Sequence, residues 1–312
     1  MKISFVIPCY RSAQSIGGVV GEILDLMESR RDHEYEIVLV SDASPDDVYR
    51  VILELCETNE HIVGVELARN FGQHAALMCG YAHVSGEIVI SLDDDGQAPI
   101  ESTFDLVDAI GSGSDVVFGA YRRKQKSVAR RFGSHINDLM ARWLLDKPRG
   151  LEITSFFAAR RYVINEVIRY DNSYPYLLGL LLRASGKITN VPVTHRPRKG
   201  GGSNYTFRKL LCLWVNGFTA FSVKPLRMAT FLGMLFAGLG FILGITVVCN
   251  KLLHPEVAAG YSSMMATMLF VGGVQLIVLG LIGEYVGRMY ISQNKSPQYV
   301  VRSTSKHPTH SP

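Results

Sequence analysis

No glycine-rich loop follows the first strand pattern of this 312-residue chain, and that absence argues against two large enzyme classes. Residues 8–12 read Pro-Cys-Tyr-Arg-Ser, neither a dinucleotide fingerprint nor a Walker phosphate loop, and Gly17-Gly18 lies too far into the next helical pattern to act as one. A nicotinamide enzyme and a P-loop ATPase are disfavoured on this ground. Paired cysteine spacing is missing as well. Cys9, Cys56, Cys79, Cys212 and Cys249 are scattered, which points to reduced thiols and away from structural zinc. The first residues lack the charged, apolar and small-residue segments of an export signal and are strand-like over 2–8, so the large domain is expected to stay in the cytoplasm.

Charge is absent from two long stretches. Residues 228–249 carry none, and residues 262–283 carry none and only Gln275 as a larger polar group. A hydrocarbon core takes about 20 helical residues to cross, and a buried core helix normally keeps a polar face that neither stretch shows. Two transmembrane helices are expected. Gly233, Gly238, Gly240, Gly244, Gly272, Gly273 and Gly280 are spread through them, which predicts close packing of the pair. The link 250–261 has only Lys251 and Glu256 as full charges, whereas Lys224, Arg227, Arg288, Lys295 and Arg302 flank the outer ends. By the positive-inside rule both termini are cytoplasmic and the spans form a hairpin.

Three consecutive carboxylates, Asp93, Asp94 and Asp95, follow directly on the apolar run 87–92, and Gly96 and Pro99 end that run. Alternation along a strand lets Asp93 and Asp95 share one face while Asp94 points to the other. Like charges at ~4 Å repel by about 4 kcal/mol at an effective dielectric near 20. A site that keeps them ionised therefore wants a hard divalent cation with oxygen ligands. An acidic surface turn is the alternative for such a triplet taken alone. The surroundings are an alternation of short strands (3–8, 36–40, 62–67, 87–92, 115–118) and helical patterns (16–27, 48–56, 73–82, 100–110). That order predicts an α/β domain with a mostly parallel sheet, whose ligands bind beyond the carboxyl ends of the strands. Three strands end in polar signatures there: Pro8-Cys9-Tyr10, Ser41-Asp42-Ala43-Ser44 and the Asp triplet.

In order along the chain stand SFVIPCY (4–10), VSDAS (40–44), RNFGQHAAL (69–77), SLDDDGQAP (91–99), RPRKGGGSNYTFRKL (196–210), PLRM (225–228) and GLIGEYVGRMY (280–290). This series resembles the family-two glycosyltransferases that charge polyprenyl phosphates, from residue 3 to about residue 300. The resemblance implies a GT-A nucleotide-sugar-binding domain over 1–204, an interfacial helix near 127–145, a second over 205–227, the hairpin over 228–287 and a cytoplasmic tail over 288–312. It implies that Pro8, Tyr10 and Asp42 hold the donor nucleotide, that Asp93, Asp95 and Gln97 bind Mg2+ or Mn2+ with the two carboxylates at the catalytic centre, and that Arg122, Arg130, Arg131, Arg198 and Ser203 lie near donor or acceptor phosphate. The partners implied are a nucleotide-diphosphate sugar, a polyprenyl (undecaprenyl) phosphate and the bilayer, with no nucleic acid and with a homo-oligomer, a tetramer, as the assembly. The setting implied is the bacterial inner membrane, for cell-envelope glycan, lipid A or O-antigen modification.

The chemistry agrees with those residue types. Breaking the bond between an anomeric carbon and a phosphate oxygen builds negative charge on the leaving diphosphate, where a metal and arginines stabilise the transition state. A lipid phosphate is anionic near neutral pH, so direct inverting displacement needs positioning more than a general base. In keeping with this, residues 151–157 read Leu-Glu-Ile-Thr-Ser-Phe-Phe and lack the acid and arginine of several relatives, leaving only Glu152 as a substitute. Asn204 stands where relatives favour lysine, with Lys199 nearby as a replacement contact. The stripes Phe132, Ile136, Leu139, Trp143 and Phe207, Leu210, Leu211, Trp214, Phe218, Phe221 recur at helical spacing beside basic residues, the pattern of helices lying in a membrane interface. Two other readings remain at this point. A processive polysaccharide synthase would carry Gln-x-x-Arg-Trp, and here Leu139 to Trp143 lacks the glutamine. A non-catalytic nucleotide-sugar-binding membrane protein would fit the missing acid but not the retained Asp93, Asp95 and Gln97.

Overall fold

A computed structural model describes residues 1–121, 142, 147–172, 175–194, 224–253, 260–294 and 297–305. Arg122, Arg130, Arg131, Arg198 and Ser203 lie outside the described residues, as do nearly all of both expected interfacial helices. The chain divides into two units, Met1–Lys209 with Lys295–Pro312, and Leu210–Asn294.

The first unit is built on β1 (Lys2–Cys9), α1 (Ile16–Glu28), β2 (Glu34–Ser41), α2 (Val48–Thr58), β3 (Ile62–Leu67), α3 (Gln73–Ala82), β4 (Ile88–Ser91), a 3-10 turn (Ile100–Ser102), α4 (Thr103–Gly111) and β5 (Val116–Tyr121). It continues with β6 (Phe157–Arg160), α5 (Arg161–Ile168), α6 (Leu177–Ala184) and β7 (Ile188–Val193). The sheet has eight strands in the order β7-β5-β6-β4-β1-β2-β3-β8, where β8 is Val301–Thr304. Pairs β1–β2, β1–β4, β2–β3 and β5–β7 are parallel, and β6 and β8 run antiparallel to their neighbours. The mixed, mostly parallel sheet is the one expected from the alternating pattern.

Both faces of the central strands are covered, which is why they read as continuous apolar runs. On one face Ile3, Phe5, Ile7 and Cys9 of β1 join Ile16, Val19, Val20 and Ile23 of α1, Val48 and Ile52 of α2 and Leu106 of α4 in one buried core. The helical spacing of the α1 set puts those side chains on a single stripe. On the other face α3 lies so close that a Cβ on Gly80 would stand 2.4 Å from Val6 Cγ1. Burial runs through every residue from Ala75 to Tyr81, so the body of α3 is an inner helix and only its two ends, Gln73 and Ala82, are exposed. Pro8 sits at the end of the central strand at no loss. The Val6 carbonyl accepts Leu92 N–H at 3.3 Å, and Pro8, facing the same side two residues on, lies past the last β4 partner, where no ladder donor is needed.

The residues expected as a separate tail return to the first unit. There β8 pairs with β3, Ala68 N–H donates to the Val300 carbonyl at 2.8 Å, and Ser305 N–H donates to the Gly64 carbonyl at 2.8 Å. Gln298, buried, donates through Nε2 to the carbonyls of Tyr170 and Asn172.

The second unit holds α7 (Lys224–Leu253) and α8 (Tyr261–Gln293). Each contains a window long and apolar enough to cross a membrane, Ala229–Thr246 with mean hydropathy 2.0 and Phe270–Gly287 with 1.6. The second window lies toward the carboxyl end of the expected 262–283 span and takes in Glu284. Among the described residues, a Cβ on Gly233, Gly238, Gly240, Gly244, Gly272, Gly273 or Gly280 would meet nothing within 4 Å, and a ring contact between Phe236 and Phe270, centroids 5.6 Å apart, joins the helices.

Candidate active site

The carboxyl ends of β1, β2, β3 and β4 and the segment entering β6 supply one cluster of polar side chains. Asp93, Asp94 and Asp95 follow Leu92 just beyond β4, with Asp94 and Asp95 in a turn, and Asp93 and Asp94 point to different partners. Asp94 turns toward the loop after β1: its Oδ2 accepts Tyr10 N–H at 3.0 Å, and its carbonyl accepts Ser15 Oγ–H at 2.7 Å. Asp93 turns the other way, accepting Gln73 Nε2–H at 2.7 Å on Oδ1 and the Ser155 hydroxyl on Oδ2. Asp95 Oδ1 accepts Gln97 N–H at 3.1 Å across Gly96, whose φ of +71° suits glycine.

The charge of Asp95 acts on both of its neighbours, Asp93 and Asp94. Burial pushes the Asp93 carboxyl up to about 6, against the hydrogen bond from Ser155, and the charges of Asp95 and Asp94 raise it further. Burial also raises Asp94, against its hydrogen bonds from Ser12 and the Tyr10 amide. Tyr121, ending β5, is raised to about 12 by burial and then by the charges of Asp93 and Asp95, so it stays a protonated phenol. An ionised Asp93, disfavoured by burial and by its neighbouring carboxylates, is what a cation would stabilise. Among the described residues no three His, Cys, Asp or Glu side chains form a ready-made cage. An all-oxygen pair that leaves positions for water and substrate phosphate nevertheless fits Mg2+ or Mn2+, since Mg2+ is usually held by one or two carboxylates plus phosphates.

The loops after β1 and β2 are laced together around this centre. Asp46 accepts Ala13 N–H at 3.0 Å and Ser44 Oγ–H at 2.5 Å, and Ser44 Oγ in turn accepts Arg11 N–H at 2.7 Å. Arg11 and Ala43 adopt φ of +58° and +46°, a conformation that side chains other than glycine rarely take. Tyr10 is left exposed, with the Arg11 guanidinium 5.6 Å from its ring centroid. Asp42 has a structural task, in line with the turn or helix cap that its residue type also allows. It is 3 % exposed, and its two oxygens accept Phe71 N–H at 2.7 Å and Gly72 N–H at 2.8 Å, which fixes the loop entering α3.

The structure joins the Tyr10 backbone to Asp94 and the Gln97 backbone to Asp95, keeps Pro8 within β1, and sends Asp42 toward the β3–α3 loop. Sequence reasoning missed Gln73, Ser155 and Tyr121. Gln73 stood in the quoted RNFGQHAAL run and Ser155 in the segment noted for its missing acid, yet neither carries a local signal of contact with Asp93. Glu152, the substitute acid, has its backbone clamped by Asn190: Glu152 N–H donates to Asn190 Oδ1 at 2.8 Å, and Asn190 Nδ2 donates to the Glu152 carbonyl at 2.6 Å.

Residues 4–169 match the model of the glycosyl transferase family 2, and residues 224–289 match the GtrB C-terminal hairpin. The chain belongs to glycosyl transferase family 2. It is 32 % identical over 310 residues to the undecaprenyl-phosphate 4-deoxy-4-formamido-L-arabinose transferase of Klebsiella pneumoniae (strain 342), covering 98 % of this chain and 94 % of that one. To the transferase of the same name from Salmonella choleraesuis (strain SC-B67) it is 34 % identical over 304 residues, covering 96 % and 93 %. Among solved structures, glucosyl-3-phosphoglycerate synthase from Mycobacterium tuberculosis, in complex with Mn2+, UDP-glucose and phosphoglyceric acid, aligns with a TM-score of 0.51 at 19 % identity, covering 70 % of this chain and 78 % of that one. At that identity the likeness shows the fold alone, a GT-A fold shared by the first unit.

Proposed function

We infer that this chain is a membrane glycosyltransferase that moves one sugar from a nucleoside-diphosphate sugar to a polyprenyl phosphate. The observation that carries the reading is the Asp93–Asp95 pair at the carboxyl ends of the parallel strands, in a chain that matches the undecaprenyl-phosphate transferases through both the sheet and the hairpin. The acceptor class comes from those relatives, and the two apolar helices support it, since a lipid acceptor is met at a bilayer. The inner membrane is the setting, with the first unit on the cytoplasmic side.

Asp93 and Asp95, with Gln97 beside them, would hold Mg2+ or Mn2+ against the donor diphosphate, which supplies charge stabilisation as the anomeric C–O bond breaks. Tyr10, exposed at the end of β1, offers its ring to the donor nucleotide. Pro8 and the lacing of the β1 and β2 loops through Asp46 fix the floor beneath it. Asp42 contributes through the Phe71–Gly72 loop that delivers Gln73. The acceptor phosphate brings its own negative oxygen, so the absence of an acid at 153–157 is no obstacle. Arg122, Arg130, Arg131, Arg198 and Ser203 are the proposed phosphate contacts.

Purified full-length protein in detergent, incubated with undecaprenyl phosphate, Mg2+ or Mn2+ and a panel of UDP-, dTDP- and GDP-sugars, should yield a lipid-phosphate sugar from one donor. Chelation with EDTA should abolish it. The Asp95→Asn variant should lose turnover by at least about 10²-fold while remaining in the membrane fraction, the scale expected when one electrostatic contact to the reacting phosphates is removed. No product from any donor, with nucleotide binding intact, would establish a binding protein in place of an enzyme.

A further inference from the structure

The geometry points to Gln73 and Ser155 as positioning residues that orient Asp93 for its cation. This deepens the proposed function and rests on its reading of Asp93 as a metal-side carboxylate. Among the described residues each oxygen of Asp93 has one neutral donor, Gln73 Nε2 at 2.7 Å on Oδ1 and the Ser155 hydroxyl on Oδ2. A carboxylate has about four lone-pair sites, so one donor per oxygen fixes the rotation of the group and leaves the remaining lone pairs for a metal ion. Neutral donors suit this task, because a lysine or arginine there would compete with the cation for the same charge.

Both donors reach Asp93 from elements that are themselves held. Gln73 is the first residue of α3, and the two residues before it are tied down by Asp42 through the Phe71 and Gly72 amides. Gly72 has φ of +93°, so the turn into the helix is one that glycine adopts readily. Ser155 is set by strand register. In the antiparallel β4–β6 pair Ser91 lies opposite Phe157, and two residues further along each strand that register sets Asp93 opposite Ser155. The neighbouring Thr154 hydroxyl lies 2.9 Å from both the Gly119 and the Phe156 carbonyls, which holds this approach segment to the end of β5. The carboxylate is thus held between the first residue of α3 and the short segment that leads into β6, two residues before that strand begins. Groups that hydrogen-bond a metal ligand typically change metal affinity by about 10–100-fold when removed.

The test uses the full-length chain in detergent and Mn2+ alone as the probe, followed by the loss of the free-ion EPR signal, with thermal unfolding measured alongside. Ser155→Ala and Gln73→Ala should each weaken Mn2+ binding about tenfold without shifting the unfolding midpoint, and Ser155→Thr, which keeps the hydroxyl, should restore it. With the active donor, the same two variants should raise the Mn2+ concentration needed for half-activation more than they lower kcat at saturating metal. Wild-type-like Mn2+ binding in both alanine variants, with Asp93→Asn defective, would overturn the positioning role alone. If Asp93→Asn binds Mn2+ like the wild type, or the wild type binds none, the metal-side reading of Asp93 falls and takes this inference with it.

Discussion

Glu36 ties three segments of the first unit together beneath the sheet. Its carboxylate accepts the Ser4 hydroxyl at 2.6 Å, the Ser85 amide and hydroxyl, and the Gly86 amide at 3.2 Å, and it pairs with Lys2 Nζ at 2.8 Å. Burial alone would raise its pKa, but the hydrogen bonds from Lys2, Ser4 and Ser85 outweigh that and hold it at about 2. Because the folded value is depressed, the stabilisation is fully present above the unfolded value near 4.5 and disappears as pH falls from there toward 2. Glu36→Gln should lower stability by roughly 2 kcal/mol at pH 7, a figure reduced for the partial exposure of Lys2. The deficit should shrink between pH 5 and about pH 3, read from denaturant midpoints of both proteins across that range. A pH-independent deficit would mean that packing, not charge, sets the effect. Gly86 belongs to the same cluster: a Cβ there would stand 2.8 Å from the Lys2 carbonyl and 2.9 Å from the Ser4 amide, so no larger residue fits without backbone movement.

Among the elements, α3 is the one on which the site most depends, since its first turn carries Gln73 and its body is wedged against β1 and β2. Gly80 makes that approach feasible, with Val6 Cγ1 2.4 Å and Val40 Cγ2 3.3 Å from where a Cβ would be. Gly80→Ala should therefore destabilise by about 1–3 kcal/mol, the usual range for overpacking a filled core. Val6→Ala made in that background should recover part of the loss, a non-additivity that a double-mutant cycle measures by thermal or denaturant unfolding. Additive effects would show that the strain lies elsewhere. The elements legible in the sequence were those with a local signature. Strands β1 to β5 are apolar runs, and α1, α2 and α4 carry helical stripes. Strand β6 is four residues, Phe157–Arg160, and β8 is the four polar-leaning residues Val301–Thr304, each too short to show a period. Their places come from pairing partners far away in sequence, β8 with β3 above all. The site follows the same division. Asp93 and Asp95 could be read from one contiguous run, whereas Ser155 meets Asp93 only because of the β4–β6 register, and Gln73 only because Asp42 holds the loop before it.

At the scale of the whole chain, β8 sets a condition on membrane topology that is independent of charge. Residues 301–304 are a strand of the same sheet as residues 2–193, so the chain must finish on the side of the bilayer where it began. An even number of crossings between Val193 and Val301 satisfies this, and α7 and α8 are two helices long and apolar enough to supply them. The basic residues flanking the hairpin lead to the same orientation with the first unit cytoplasmic, through the bias of lysine and arginine toward that side. The hydrogen-bonded register and the charge bias are two independent arguments for the proposed hairpin, in which the link 250–261 is expected on the far side of the bilayer. Single cysteines test it in a Cys56→Ser/Cys212→Ser/Cys249→Ser background, where the remaining Cys9 and Cys79 are buried in the first unit. In intact spheroplasts a membrane-impermeant maleimide should label Glu256→Cys and leave Glu57→Cys, on the exposed side of α2, unlabelled until the cells are permeabilised. Labelling of both positions on the same side would mean that the helices do not cross as a hairpin, and the lipid-phosphate acceptor would then have to reach the site by another route.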